Sequence, residues 1–290
     1  MSKKKATGAT KAGSKATAER SRREVLRAQQ EADAARRKRI TIIGAIITAI
    51  VALAIIAVIA VVVIQDQNTK REQREREAAS QITPPNAVGD KAILVNPDTA
   101  GNAKYELNIY LDYQCPACKQ AEALYAKVWD QLAAEGFAKI QIHTMTFMDN
   151  NIGNDSSKKM AVAAACADVS GKGNYIKYHT KAFELKPEGE AQSGYPDDLI
   201  TQQIPQQAGI TGEAYNKWKS CYDSNATAAF TRKTNENAGK DGVTSTPTIM
   251  VGTKNPVAKV DAQGRETYWW QDLDPDLAAW KKAIEDAHNS

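Results

Sequence analysis

The sequence predicts an α/β domain with a helical insertion, carried behind a single transmembrane helix. Three observations predict it. Residues 40–64 form an unbroken apolar run, residues 105–148 follow a strand, helix, strand pattern with two cysteines where the helix begins, and strand-like segments return at 247–269 after a long helical stretch.

The first element is a basic arm. Residues 1–39 hold 13 Lys/Arg against 4 Asp/Glu, about +9, so the remainder of a chain with net charge +4 is about −5. The excess positive charge belongs to the arm and not to the folded part, which argues against nucleic-acid binding. The arm is rich in Lys, Ala, Ser and Thr and is expected to be disordered, turning helical from Ala16. Its expected contacts are with anionic lipid.

Residues 40–64 (ITIIGAIITAIVALAIIAVIAVVVI) carry no charge and span about 37 Å as a helix, enough to cross a hydrocarbon core of about 30 Å. A cleavable signal peptide is the competing reading. The apolar run is too long for one, and no Ala-x-Ala site follows immediately. Arg36-Arg37-Lys38-Arg39 flanks the run on one side, whereas Lys70, Arg71, Arg74 and Arg76 on the other are interspersed with acids, which puts the N-terminus in the cytoplasm. Residues 65–90, charged and then turn-prone at Pro84-Pro85-Asn86 and Gly89-Asp90, read as an extracytoplasmic linker. Residues 91–290 are long enough for one well-buried domain.

Within that domain, residues 92–95 and 105–112 read as strands, the second with Leu107, Ile109 and Leu111 on one face. Residues 114–134 read as a helix ending at Gly136, and 139–148 as a strand with Ile140, Ile142 and Met145, completing a βαβ unit. Helices are expected at 158–169, 174–185, 197–207, 211–223 and 225–238. Residues 247–251 and 257–269 read as a strand pair about a turn at 252–256, and 274–287 as a closing helix.

Cys115-Pro116-Ala117-Cys118 is the chemical centre of this pattern. Two cysteines at i and i+3 on a first helical turn share a face, and the helix N-terminus points N–H groups and partial positive charge at the first sulfur. Such placement favours the thiolate. Pro116 suits the first helical position, where its missing N–H is not needed. Cys115 is therefore the expected nucleophile and Cys118 the resolving thiol. A structural disulfide and half of a zinc site are the rivals; zinc would need two further ligands, and Cys166, Cys221, His143, His179 and His288 are scattered along the chain. No metal and no cofactor is expected.

The segment LDYQCPAC, together with GVTSTPTIMVG far downstream, resembles the DsbA-like branch of the thioredoxin superfamily. The resemblance implies a thioredoxin fold with its helical insertion at about 156–238 and covers about two thirds of the chain. It implies a cis Thr246-Pro247 bond facing the sulfurs; a trans proline at a strand start is the other reading. Ala117 stands where strongly oxidising relatives have His. Ile109 stands where many relatives have a buried acid, which leaves proton transfer to water, Asp112 or another group, although Asp112 itself reads as a turn or cap residue. In an oxidising compartment the even cysteine count pairs Cys166 with Cys221, two separate buried thiols being the alternative.

The activity so implied is thiol:disulfide exchange, chiefly oxidation of unfolded or reduced secreted proteins in a bacterial cell envelope, with a quinone-linked membrane enzyme as reoxidising partner. An isomerase or reductase using the same dithiol is the alternative, and a tethered chaperone or peptide-binding module with a structural Cys pair is the alternative of another class.

Overall fold

The computed structural model describes residues 36–39, 42–71, 82–187 and 194–290. The basic arm before Arg36, residues 40–41 of the expected transmembrane run, the middle of the expected linker at 72–81, and residues 188–193 lie outside the described residues. The chain divides into two units, residues 1–71 and 72–290.

The first unit contributes helix α1 (Arg36–Arg71), which among the described residues is the one helix long and apolar enough to cross a membrane. It extends past the expected 40–64 on both sides. Good helix formers flank the apolar run, and Lys70 Nζ meets Asp66 Oδ2 at 2.7 Å, one turn back. Ile43, Ile47, Ile50, Leu53 and Val61 are all exposed, so the helix has no buried stripe of the kind that marks a surface helix of a globular core.

The second unit is built on a five-stranded sheet of β1 (Ala87–Val88), β2 (Ala92–Leu94), β3 (Tyr105–Leu111), β4 (Ala138–Thr144) and β5 (Thr248–Val251), in the order β1-β2-β4-β3-β5. Strands β3 and β4 pair in parallel, Leu107 opposite Ile140 and Ile109 opposite Ile142, and helix α2 (Pro116–Ala134) makes the crossover between them. Alternation along β3 divides its side chains. Leu107, Ile109 and Leu111 enter the main core with Ala121, Tyr125, Val128 and Leu132 of α2 and with Trp280 and Ile284 of α9 (Leu277–Asn289). Tyr110 enters a second, smaller cluster with Met145, Ala238, Val243 and Met250.

Helices α3 (Phe147–Ile152), α4 (Ser156–Ser170), α5 (Asn174–Glu184), α6 (Ile204–Gln207), α7 (Gly212–Asp223) and α8 (Ala228–Lys240) lie between β4 and β5. Cys166 of α4 and Cys221 of α7 are joined by a disulfide, and Trp218 Nε1 of α7 donates to the Ala163 carbonyl of α4 at 2.8 Å.

Three local expectations are corrected. Strand β4 stops at Thr144 and does not run to Met148. Ile142 to Met145 already breaks the period of two, and the amides of Thr146 and Met148 are taken by Asn235 Oδ1 and Asp112 Oδ2. The segment 257–269 is not the partner of 247–251. Strand β6 (Val257–Val260) instead pairs with β7 (Glu266–Tyr268) in a separate hairpin, turned by Asp261 Oδ1 accepting from the amides of Gln263 and Arg265. Residues 82–90, read as linker, are folded: Asn86 gives its backbone and side-chain N–H groups to the Asp168 carboxylate at 2.8 and 2.7 Å, and β1 pairs with β2 through a turn at Gly89. The expected helix at 197–207 is helical throughout, with a π-helical turn at Leu199–Gln203, ahead of α6, where Pro205 has no N–H to continue the α-helical ladder.

Candidate active site

Strand β3 delivers the chain to Asp112, and the Asp112–Gln114 loop turns it into α2. Cys115 has extended backbone angles (φ −71°, ψ 122°) and forms the N-cap, with Pro116 in the first turn. The Cys115 amide donates to the Asp112 carbonyl at 3.0 Å. Cys115 is 6% exposed and Cys118 fully buried, and neither is bonded to another sulfur in this structure. The Thr246-Pro247 bond is cis, and the Cys115 thiol points at the Thr246 carbonyl, 3.4 Å away. Cys115, Pro116, Ala117, Cys118, Thr246 and Pro247 are thus gathered at one end of the sheet. Cys166 and Cys221 sit apart from them, in the insertion.

The two sulfurs have opposite electrostatics. Hydrogen bonding from the Cys118 thiol, helped by the N–H groups of Cys118 and Ala117 and by Thr246, outweighs burial and lowers the Cys115 thiol to about 6. Burial, followed by the neighbouring Cys115, pushes Cys118 well above the ordinary thiol range. At neutral pH this arrangement favours a thiolate at the nearly buried Cys115 and a protonated thiol at Cys118 beneath it. Lysines edge the site. Lys119 Nζ donates to the Lys186 carbonyl at 3.0 Å, and the Lys186 ammonium, lowered chiefly by burial and next by Lys119, feels the opposing pull of Cys115, Cys118 and Asp112.

Beneath the sulfurs lies a polar floor that the sequence reading missed. Asp112 is not a simple turn residue but fully buried. Its Oδ1 accepts from the Gln114 amide (2.9 Å) and the Ser157 hydroxyl (2.6 Å), its Oδ2 from the Met148 amide (2.9 Å), and burial raises its carboxyl to about 6. Gln114 Nε2 reaches Asp149, Asn154 and Ser157. On the other side of the loop, Tyr113 Oη meets His179 Nδ1 and His179 Nε2 meets Glu122 Oε1, both at 2.9 Å and all buried. Glu122 carried a readable signal: it is an acid on the same helical stripe as Ala121, Tyr125 and Trp129, where only a paired charge is tolerated. His143 has no part in this site. It bonds Asn108 and stacks on Tyr110 at the other face of the sheet. Among the described residues no group of three or more His, Cys, Asp or Glu side chains is arranged to hold a metal.

The fold and this dithiol facing a cis-proline loop define a thioredoxin-fold dithiol protein. The sequence profile of a thioredoxin family matches residues 100–268, more than half of the chain, and the chain belongs to that family. Among solved structures it is similar to oxidised DsbA from Mycobacterium tuberculosis, at 20% identity and TM-score 0.51, covering 69% of this chain and 94% of that one. It is also similar to MdbA, a thiol-disulfide oxidoreductase from Actinomyces oris (16%, TM-score 0.53, 70% and 92%), and to oxidised BdbD from Bacillus subtilis (18%, TM-score 0.50, 72% and 99%). No curated protein matches the chain at the sequence level.

Proposed function

We propose that this chain is a membrane-tethered thiol:disulfide oxidoreductase that oxidises exported proteins through Cys115 and Cys118. The observation that carries the reading is the placement of Cys115 at the N-cap of α2, its thiol facing the cis Thr246-Pro247 loop above a fully buried Cys118, a geometry that lowers the Cys115 thiol and raises that of Cys118. A substrate thiolate attacks the Cys115 sulfur of the Cys115–Cys118 disulfide; that bond breaks, and Cys118 leaves as a thiolate that takes up a proton. A second substrate thiolate then attacks the substrate sulfur of the mixed disulfide and expels Cys115 as a thiolate. Two electrons pass to the dithiol and the substrate gains a disulfide. A stabilised Cys115 thiolate favours the reduced enzyme, and so favours donation of the disulfide over isomerisation or reduction. The likeness to MdbA, a thiol-disulfide oxidoreductase, supports the same class. Turnover requires reoxidation, for which a quinone-linked membrane enzyme is the proposed partner.

Helix α1 is the proposed tether, with Arg36-Arg37-Lys38-Arg39 on the cytoplasmic side, the arm against anionic lipid and the dithiol domain outside. The test is oxidative refolding of a reduced secreted protein by the detergent-solubilised chain beside its Cys115→Ser variant. The variant is expected to fall to the uncatalysed rate. Equal rates would refute the enzyme, and rescue of a scrambled-disulfide substrate without oxidation of a reduced one would assign isomerase activity instead.

A further inference from the structure

The proposed exchange leaves one problem, since Cys118 must carry negative charge transiently in a fully buried position. A buried thiolate without a donor is costly. The backbone N–H of Asp112 points at Cys118 Sγ from 3.5 Å. We infer that the Asp112 amide is the donor that stabilises the nascent Cys118 thiolate, and that the Asp112 carboxylate and Ser157 are positioning groups that hold this amide in place. The inference rests on the dithiol-exchange reading and assigns a role to residues outside the Cys-Pro-Ala-Cys segment.

The clamp is over-determined, as a positioning device requires. The Asp112 carboxylate is fixed from three separate places, its own loop through the Gln114 amide, α3 through the Met148 amide, and α4 through the Ser157 hydroxyl. Ser157 is itself held, its amide donating to Asp149 Oδ1 at 2.7 Å. The Asp112 carbonyl simultaneously accepts from the Cys115 amide, so a single residue faces both sulfur-bearing positions. The titratable and charged groups facing it are Asp149 of α3, Lys186 beyond α5, Tyr195 and Cys118. Three donors converge on this carboxylate, and a neutral carboxyl accepts from them more weakly than a carboxylate, so protonation loosens their hold on the loop. By microscopic reversibility the same amide assists Cys118 when it leaves and when it attacks.

The test follows the two sulfurs separately. The reduced full chain in detergent is mixed with excess dithiobis(nitrobenzoate). The Cys115 thiolate attacks the reagent, its S–S bond breaks, and one thionitrobenzoate is released. Cys118 then loses its proton, attacks the Cys115 sulfur and expels a second, closing the protein disulfide. The first release reports the nucleophile and the second reports Cys118; a Cys118→Ser control gives the first alone. Ser157→Ala and Asp112→Asn are each expected to slow the second release about tenfold and leave the first within about twofold. With reagent high enough to complete the first release early, the second falls steadily with pH because Cys118 must lose its proton, and in the unaltered chain it is expected to fall more steeply below about pH 6, with that extra inflection absent from Asp112→Asn. An unchanged second release, or equal slowing of both, overturns the inference. Absence of the first release from the unaltered chain overturns the redox reading itself.

Discussion

At Cys115 the thiolate is favoured by hydrogen-bond donors and not by a histidine, since the residue before Cys118 is Ala117. This has a consequence for stability. Cys115 is depressed from 9.0 to about 6 in the folded, reduced protein, so its stabilising contribution is fully present above pH 9 and is lost as pH falls through about 6. The oxidised protein has no such thiol. The stability of the reduced form relative to the oxidised form is therefore expected to rise between about pH 6 and about pH 9, by up to about 4 kcal/mol. Denaturant unfolding of both forms at the two ends of that window checks it, and a constant difference would contradict the thiolate assignment. The Cys pair was legible because i, i+3 spacing ahead of an amphipathic run has few other uses. Asp112 was not, because its depth and its Ser157 partner, 45 residues away, depend on how α4 docks beneath the loop.

Among the elements, α4 has the least sequence signal for what it does. Its segment MAVAAACA is buried on every side, so no amphipathic stripe tells which neighbour it faces. Its neighbours include α7, through the Cys166–Cys221 bond and Trp218, α5 and α8, and the active-site loop, through Ser157. The disulfide closes a separation of 55 residues, and Cys166→Ala with Cys221→Ala is expected to lower unfolding stability by about 4 kcal/mol on the chain-entropy account. Tryptophan fluorescence against denaturant measures this. A loss well under 1 kcal/mol would mean that the denatured chain is already constrained there. Helix and strand types were largely readable from periodicity. The β6–β7 hairpin was not, because the Asp261-to-Arg265 turn lies inside a run whose exposed Val257 and Val260 imitate a strand facing a core.

For the whole molecule, tethering predicts that the chain stays with the membrane pellet through an alkaline carbonate wash and is released by detergent, whereas a chain lacking residues 1–71 is soluble. Release by carbonate alone would sink the tether. The sequence by itself determined the apolar span, the dithiol and the alternation of strands and helices, because each is a local pattern of spacing in which neighbours along the chain are neighbours in space. Only the tertiary structure decided that residues 82–90 belong to the folded domain, that β5 pairs with β3 and not with β6, and that Asp112 lies buried under the sulfurs. Those outcomes depend on burial and on hydrogen bonds between residues tens of positions apart, and neither leaves a period in the sequence.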